Sequence, residues 1–250
     1  MNDKLFIGTS GWSYKDWAGN FYTKGVKQSE YLVHYSQSFR TVEIDSTFYG
    51  APRPGTVEKW RQNTPHHFRF ASKVPQVITH EKRLIDAESD WQNYLKTMQI
   101  LGHKLGPLVL QFDYKFNPKD HYAALEQFLS DHARDARLCV EIRNRKWHET
   151  ALYEMLDKHN VALVLHDLYY MPRIIKITAD FTYIRLLGNR KKIPHDFSHV
   201  RINREKDLDW WADWIKKFLD KDLQVYVYSN NRYEGHAPET IRRLTNVMIK

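Results

Sequence analysis

Residues 137–147 read RLCVEIRNRKW and begin as a β-strand, because Leu138 and Val140 belong to a short apolar run. A strand covered on both faces is apolar throughout, yet this one carries Glu141 and Arg143. Side chains alternate along a strand, so the two charges lie on one face. Since buried charges are costly unless paired, that face either opens into a polar site or belongs to a half-exposed strand. We favour the polar site, because charges recur at other strand ends.

The composition is that of a globular protein. The chain has 250 residues, close to the ~250 of a single α/β barrel, and is 42% apolar, 27% charged and 14% aromatic. Its one cysteine, Cys139, lies in an apolar strand, which excludes a disulfide or a cysteine-ligated cluster within one chain. The N-terminus leaves no room for a signal peptide, and no apolar run approaches the ~18 residues of a membrane span. We therefore expect a cytoplasmic protein with no membrane partner.

The net charge of +8 allows attraction to nucleic acid or phosphorylated ligands. The basic residues are dispersed, and runs such as 189–192 are short. No RNA- or DNA-reading motif is present, so a solvated surface accounts for most of the charge.

Strand-like and helix-like segments alternate along the chain. The strand-like runs begin near Leu5, Thr41, Phe68, Pro107, Arg137, Val161, Phe181 and Leu223. Amphipathic helices are predicted in the segments between and after these strands. They are residues 29–39, a segment that begins at Pro54, a segment that runs from a cap at Ser89 to a stop at Gly102, residues 122–132, residues 152–159, residues 208–219, and a segment that follows Pro238. Only segment 168–180 is predicted to be irregular.

This alternation predicts a parallel sheet covered by helices, and eight strands close a barrel. The competing architecture is an open doubly wound sheet, but no Gly-x-Gly-x-x-Gly follows the first strand and no Walker loop occurs. No linker divides the chain. We predict a single (β/α)8 TIM-type barrel over residues 1–250, with parallel strands and outer helices.

In such barrels the active site lies at the C-terminal strand ends, which makes polar residues there candidates. These are Ser10, Trp12, Glu43, Asp45, Lys73, Gln111, Asp113, Glu141, Arg143, Trp147, His166, Asp167, Arg185, Asn230 and Asn231. His236 precedes the helix at Pro238, whose free N–H groups predict an anion site.

Structural alternatives remain open for these residues. Glu43 and Arg143 could form an ion pair inside the barrel, and Lys73 and Arg185 could pair with carboxylates to fill it. His166 and Asp167 could be a hydrogen-bonded histidine beside a helix cap, and Asn230 and Asn231 could be turn residues. Five histidines on predicted helices or loops are expected at the surface: His34, His80, His103, His121 and His132.

Four blocks resemble the signature of the DUF72 (YecE-like) family: residues 8–14 (GTSGWSY), 42–49 (VEIDSTFY), 70–75 (FASKVP) and 230–238 (NNRYEGHAP). The resemblance implies a TIM-type barrel whose biochemical role is not established. It points to Ser10, Trp12, Glu43, Lys73, Glu141, Arg143, Asn230, Asn231 and His236. The chain departs from the pattern at Asp45 (usually asparagine) and at Asn144 and Leu187, where histidines are common.

The favoured hypothesis is an enzyme, an isomerase or a hydrolase, acting on a phosphorylated or otherwise anionic small molecule. Lys73, Arg143 and Arg185 would hold the anion. Glu141 or Glu43 would be the general base and His166 the proton donor. Trp12 and Trp147 could stack a ring, and the other polar residues at the strand ends would contact the substrate.

Two alternatives remain. A divalent-metal hydrolase would use Glu43, Asp45, Glu141, His166 and Asp167, although no HExxH motif supports it. A non-enzymatic module for nucleic acid or protein would use the positive charge and the aromatic residues. The sequence indicates neither a cofactor nor an oligomeric state.

Overall fold

The computed structural model describes residues 2–249, and within that range eight parallel strands close into a barrel in chain order, with seven α-helices outside it. The strands are β1 Leu5–Ser10, β2 Thr41–Ile44, β3 Arg69–Lys73, β4 Leu105–Phe112, β5 Leu138–Ile142, β6 Ala162–Leu168, β7 Phe181–Gly188 and β8 Gln224–Ser229. The helices are α1 Tyr31–Ser38, α2 Pro54–Gln62, α3 Glu88–Met98, α4 Pro118–His132, α5 Thr150–Lys158, α6 Glu205–Asp220 and α7 Ala237–Ile249. The predicted barrel is confirmed.

The local predictions agree with these elements, with small differences at helix ends. Ser89 is not a cap but lies inside α3, where Glu88 and Asp90 place negative charge in the first turn. The connection from β6 to β7 carries no helix among the described residues. No helix in the described range is long and apolar enough to cross a membrane.

The contacts within the chain divide it into two compact units. The first unit comprises residues 2–43, 166–174 and 181–249, and the second comprises 44–165 and 175–180. The two ends of the predicted single domain, residues 1 and 250, lie outside the described residues.

In the first unit, the contacts of β1 show which face of the strand points outward. The Thr9 amide and hydroxyl both bond with the Tyr35 hydroxyl of α1 at 2.9 Å, and that hydroxyl also donates to the Thr41 carbonyl at 3.0 Å. Gly8 leaves the space for this approach, since a Cβ there would lie 2.1 Å from the Thr41 carbonyl oxygen. Thr9 therefore faces the helices, and Ser10, its neighbour, faces the barrel interior.

In the second unit, aromatic rings pack beside β4 and β5. The Phe116 ring stacks on Phe112, with ring centres 3.9 Å apart, and on Trp147 at 5.2 Å, and Tyr122 of α4 also stacks on Trp147 at 6.0 Å. The Trp147 indole donates to the Phe116 carbonyl at 2.8 Å. This stack holds the segment that follows β5.

Candidate functional site

The register of three strands in the second unit places polar side chains on one face of the sheet. Lys73 pairs with Val109, and Gln111, two residues further along β4, pairs with Glu141. Ser72, next to Lys73, bonds outward with the Tyr94 hydroxyl of α3 at 2.9 Å. Because neighbours alternate, Lys73, Gln111 and Glu141 all point into the barrel.

Glu141 and Arg143 form an ion pair at the end of β5. The guanidinium Nε donates to Oε1 of Glu141 at 2.7 Å. The Glu141 side chain is fully buried, whereas that of Arg143 is 25% exposed. The carboxylate is therefore held in a water-poor position next to a cation that solvent and ligands can reach.

Lys73 lies at the end of β3 and is 9% exposed. Its ammonium Nζ lies 4.0 Å from the centre of the Phe48 ring. This distance is that of a cation–π contact, which favours the charged amine in a partly desolvated place. The chain directly after β3 brings a further group into contact with the Phe48 ring.

That group is His80, which the sequence had assigned to the surface. Residues Val77–Glu81 form a π-helix, in which the Lys82 amide bonds to the Val77 carbonyl at 2.9 Å. The His80 ring is half-buried and meets the Phe48 ring edge-on at 4.9 Å. π-Helical turns are rare and concentrate at functional sites. The prediction for His80 is wrong because neither a 3.6- nor a 2-residue periodicity reveals this turn.

Thr79 holds the His80 ring through one of its nitrogens. The Thr79 hydroxyl lies 2.9 Å from His80 Nδ1 and 3.3 Å from the Pro75 carbonyl oxygen. Nδ1 therefore has a hydrogen-bond partner in Thr79. Burial lowers the pKa of His80, and the positive charges of Lys73 and Arg143 lower it further, while Asp113 opposes them. His80 is thus a neutral base near pH 7.

Lys73, His80, Arg83, Asp113, Glu141 and Arg143 are hereafter the charged cluster. Arg83 contributes a positive charge that lowers the pKa of His80, and Asp113 lies half-buried after β4. The cluster combines cations with one buried carboxylate and one neutral imidazole.

The lowered pKa of His80 gives a stability prediction. As the pH falls, this histidine takes up a proton near its ordinary pKa of about 6.5 in the unfolded state, but only at a lower pH in the folded state. The contribution of His80 to the free energy of unfolding is therefore full above that pH and decreases below it. We expect His80→Gln to lose less stability than the wild type between about pH 7.5 and pH 5.5. Urea denaturation at the two pH values measures this difference. His67→Gln, at an exposed histidine, is the control, and equal pH dependence in wild type and His80→Gln would contradict the assignment.

In the first unit, Glu43 is the centre of a buried network. Its Oε1 accepts from Ser10 Oγ and from Arg185 Nη2, each at 2.7 Å, and its Oε2 accepts from the Tyr183 hydroxyl at 2.7 Å. Glu43 is fully buried and Arg185 is 2% exposed. The structure therefore pairs Glu43 with Arg185, whereas the sequence had offered Arg143 as its structural partner.

His166 and Asp167 do not point to the same side of β6. Asp167 Oδ2 accepts from the Trp211 indole of α6 at 3.0 Å and from the Tyr233 hydroxyl at 2.8 Å, and it pairs with Arg173 at 2.7 Å. Asp167 is thus directed toward the helical layer, which corrects its expected place among substrate-binding residues. His166 is 4% exposed, and alternation directs it inward.

The expected anion site before α7 is occupied by the protein itself. The Asn231 side-chain oxygen accepts from the Ala237 amide at 3.0 Å and from the Trp17 indole at 3.1 Å. His236 bonds through Nδ1 to the Phe197 carbonyl at 2.7 Å, and burial lowers its pKa. Asn231 is therefore a buried helix cap, and the first free amide of α7 is not offered to a ligand.

Packing buries three further residues. Trp147 is 2% exposed within the aromatic stack formed with Phe116 and Tyr122. The surface prediction is wrong for His121 and His132. His121 and His132 are 7% and 6% exposed, because α4 packs them against Phe116 and Trp91.

The remaining candidate residues are Asn230, Asp45 and Trp12. Asn230 accepts from the Arg232 amide at 3.0 Å, which is turn chemistry. Asp45 precedes a 3₁₀ turn and is half-buried, and Trp12 is half-buried with its carbonyl accepting from the Tyr22 hydroxyl at 2.6 Å. Within residues 2–249, no group of three His, Cys, Asp or Glu side chains is placed to hold a metal ion.

Comparison with known proteins identifies relatives along the whole chain. The model of the family described as "Protein of unknown function DUF72" matches residues 6–250. The UPF0759 protein YunF of Bacillus subtilis (strain 168) is 23% identical over 269 aligned residues, which cover 98% of this chain and 94% of YunF. The UPF0759 protein YecE of Escherichia coli (strain K12) is 30% identical over 168 residues, or 65% of this chain and 59% of YecE.

A solved structure agrees with the fold. The crystal structure of a Thermotoga maritima protein of the same family has a TM-score of 0.80 and 25% sequence identity, and the match covers 98% of this chain and 99% of that one. The barrel is therefore common to the two proteins.

Proposed function

Because this chain belongs to the DUF72 family, whose function is not established, we propose an activity from its own geometry: an enzyme, an isomerase or a hydrolase, acting on a phosphorylated or otherwise anionic small molecule. The single observation that carries this proposal is the charged cluster. It joins a buried carboxylate to cations and a neutral histidine at the C-terminal ends of strands, where barrel enzymes have their active sites.

The cluster divides into binding and proton-transfer groups. Lys73 and Arg143 are the cations for the anionic group, and Arg143 keeps a partly exposed guanidinium that can bind oxygen atoms in a bidentate manner. Glu141 is the general base, since its buried carboxylate points into the barrel and is held beside Arg143 at 2.7 Å. His80 exchanges a proton through Nε2, because its Nδ1 is held by Thr79.

We keep His166 as a predicted proton donor and give Glu43 a different role. His166 is an inward-facing histidine of the first unit and a second candidate proton donor. Glu43 accepts three short hydrogen bonds from neighbouring side chains. We therefore assign it a structural role, which is to stabilise the barrel interior, and no role in the reaction. A cytoplasmic location and a small anionic ligand as the partner are part of the same proposal.

An experiment with a panel of phosphorylated metabolites tests the reaction class. The protein is incubated with phosphorylated sugars and organic acids, and ³¹P NMR follows both release of phosphate and a shift of the phosphomonoester signal. Hydrolysis gives the first change and isomerisation the second. No change with any anionic compound, together with no binding of inorganic phosphate, would reject the proposal.

We expect Lys73→Met to weaken the binding of inorganic phosphate by at least about tenfold, because a hydrogen bond to a charged group contributes about 1.5–3 kcal/mol. Isothermal titration calorimetry at low salt measures the affinity. Lys59→Met removes an equal charge from the exposed face of α2 and should leave affinity within about threefold. Equal losses in both variants would show a general charge effect instead of a site.

A nucleic-acid-binding module is the second candidate, and exposed tyrosines favour it. Tyr49 and Tyr114 follow β2 and β4 and are 80% and 69% exposed. Such rings can stack bases while lysines and arginines contact phosphates. Affinity for a single-stranded oligonucleotide must then fall steeply with salt, and salt-independent binding would exclude this candidate.

A further inference from the structure

An open cleft of about 620 Å³ lies in the first unit, against the outer side of β1 and one side of α7. Small-molecule sites have volumes of roughly 300–1,000 Å³. The cleft belongs to the first unit alone and shares no residue with the charged cluster. The cleft is therefore separate from the site of the proposed reaction.

The floor of the cleft is apolar. Leu5 and Ile7 are the outward-facing side chains of β1, and Ile241 of α7 faces them. Phe21 and Phe39 form a wall, with ring centres 5.5 Å apart and both rings half-buried. These five side chains make a continuous hydrophobic surface.

The cleft follows one face of α7. Its α7 side uses residues 238, 239, 241, 242, 245 and 246, which recur with the spacing of one helix face. At 1.5 Å per residue this face is about 12 Å long. A hollow of this length and volume fits a flexible apolar chain, whereas a stable protein partner needs about 800 Å² of surface on each side.

Arg40 brings a positive charge to the cleft, and its ion pair with a carboxylate is weak. Arg40, immediately before β2, has a 27% exposed side chain, and its carboxylate contact is to Asp3, which is 96% exposed, at 3.4 Å. Such a surface pair contributes little. Arg242, by contrast, binds Glu239 through two contacts of 2.8 and 2.5 Å. The cleft thus offers an anion one available guanidinium beside an apolar floor.

We propose that this cleft binds a medium-chain fatty carboxylate, with its carboxylate on Arg40 and its alkyl chain over Leu5, Ile7 and Ile241. The guanidinium can hold both carboxylate oxygens. The alkyl chain is removed from water by the floor and by the Phe21–Phe39 wall, which supplies the main driving force. The proposal does not depend on the reaction proposed above.

Calorimetric titration with dodecanoate, below its micelle concentration, tests the site. We expect one site per chain in the wild type. Arg40→Gln should weaken binding by at least about tenfold, since it removes a hydrogen bond to a charged group. Arg242→Gln is the matched control, because it removes a positive charge from the same cleft that Glu239 already neutralises. The affinity of this variant for dodecanoate should stay within about threefold of the wild type.

Two further measurements locate the ligand. Thr245→Trp places a large side chain on the lining of the cleft, so dodecanoate binding should be lost while thermal unfolding of the free protein is unchanged. In methyl NMR spectra, dodecanoate should shift the signals of Ile7 and Ile241 and leave Ile142 of β5 unmoved.

The proposal is overturned if the wild type does not bind dodecanoate, if Arg40→Gln binds it equally well, or if 1-dodecanol binds as tightly as dodecanoate. It is also overturned if sedimentation shows a dimer that Thr245→Trp dissociates, because a second copy then covers the cleft. Failure of this binding leaves the phosphate titration and the ³¹P assay unaffected, so the two proposals are judged separately.

Discussion

Glu43→Gln should lower the free energy of unfolding by about 3–5 kcal/mol, because it removes the carboxylate that pairs with the buried guanidinium of Arg185. Arg185 is 2% exposed, so water cannot replace the lost carboxylate. Ser10 and Tyr183 also lose a charged acceptor. For a chain of this size, each kcal/mol shifts the thermal midpoint by about 2–4 °C, which gives a fall of about 6–20 °C.

A surface pair and a double variant control this measurement. Glu58→Gln breaks the i,i+3 pair with Arg61 on α2 and should change stability by no more than about 0.5 kcal/mol. Glu43→Gln combined with Arg185→Met should recover much of the loss, since apolar replacement of a whole buried pair is often neutral. If the single Glu43→Gln variant were as stable as the wild type, this network would not stabilise the barrel.

The second large effect is on activity. Glu141→Gln should lower turnover of the substrate found in the ³¹P assay by at least about 100-fold, because general-base catalysis contributes about 10²–10⁴. The thermal midpoint should remain within about 4 °C, the shift of roughly 1 kcal/mol, since Arg143 is 25% exposed and water can solvate it. Steady-state kinetics and calorimetry on the same preparation give both values.

The matched control is Glu126→Gln. It breaks a carboxylate pair with Lys158 at the surface and should leave turnover unchanged. If Glu141→Gln instead lost stability as Glu43→Gln is expected to, Glu141 would be a structural residue and the proposed reaction would lose its base. Glu43→Gln and Glu141→Gln thus have opposite expected effects on stability and turnover.

Much of the fold could be predicted because its signals are local. Apolar runs, helix periodicity and the order of elements lead to the barrel, and the two-residue alternation at Glu141 and Arg143 correctly places both on one face. The same alternation could have separated His166 from Asp167, since adjacent residues of a strand point to opposite faces.

The remaining errors have other physical causes. Asn231 looks like a site residue in the sequence, but its side-chain oxygen accepts from the first amide of α7, six residues away, and from the Trp17 indole, which is distant along the chain. Trp147 is covered by rings contributed from another loop and from α4. Long-range packing decides these two cases, and no sequence window contains it. His80 was missed for a local reason, because its turn follows neither regular period.

The π-helix at Val77–Glu81 has an evolutionary consequence. It closes its hydrogen bond over five residues where an α-helix uses four, so loss of a single codon there would restore an ordinary turn. The following side chains would rotate by about 100°, and His80 would leave Phe48 while the strands stayed paired. A lineage could therefore lose or regain this imidazole in one deletion or insertion, without refolding the scaffold that carries it.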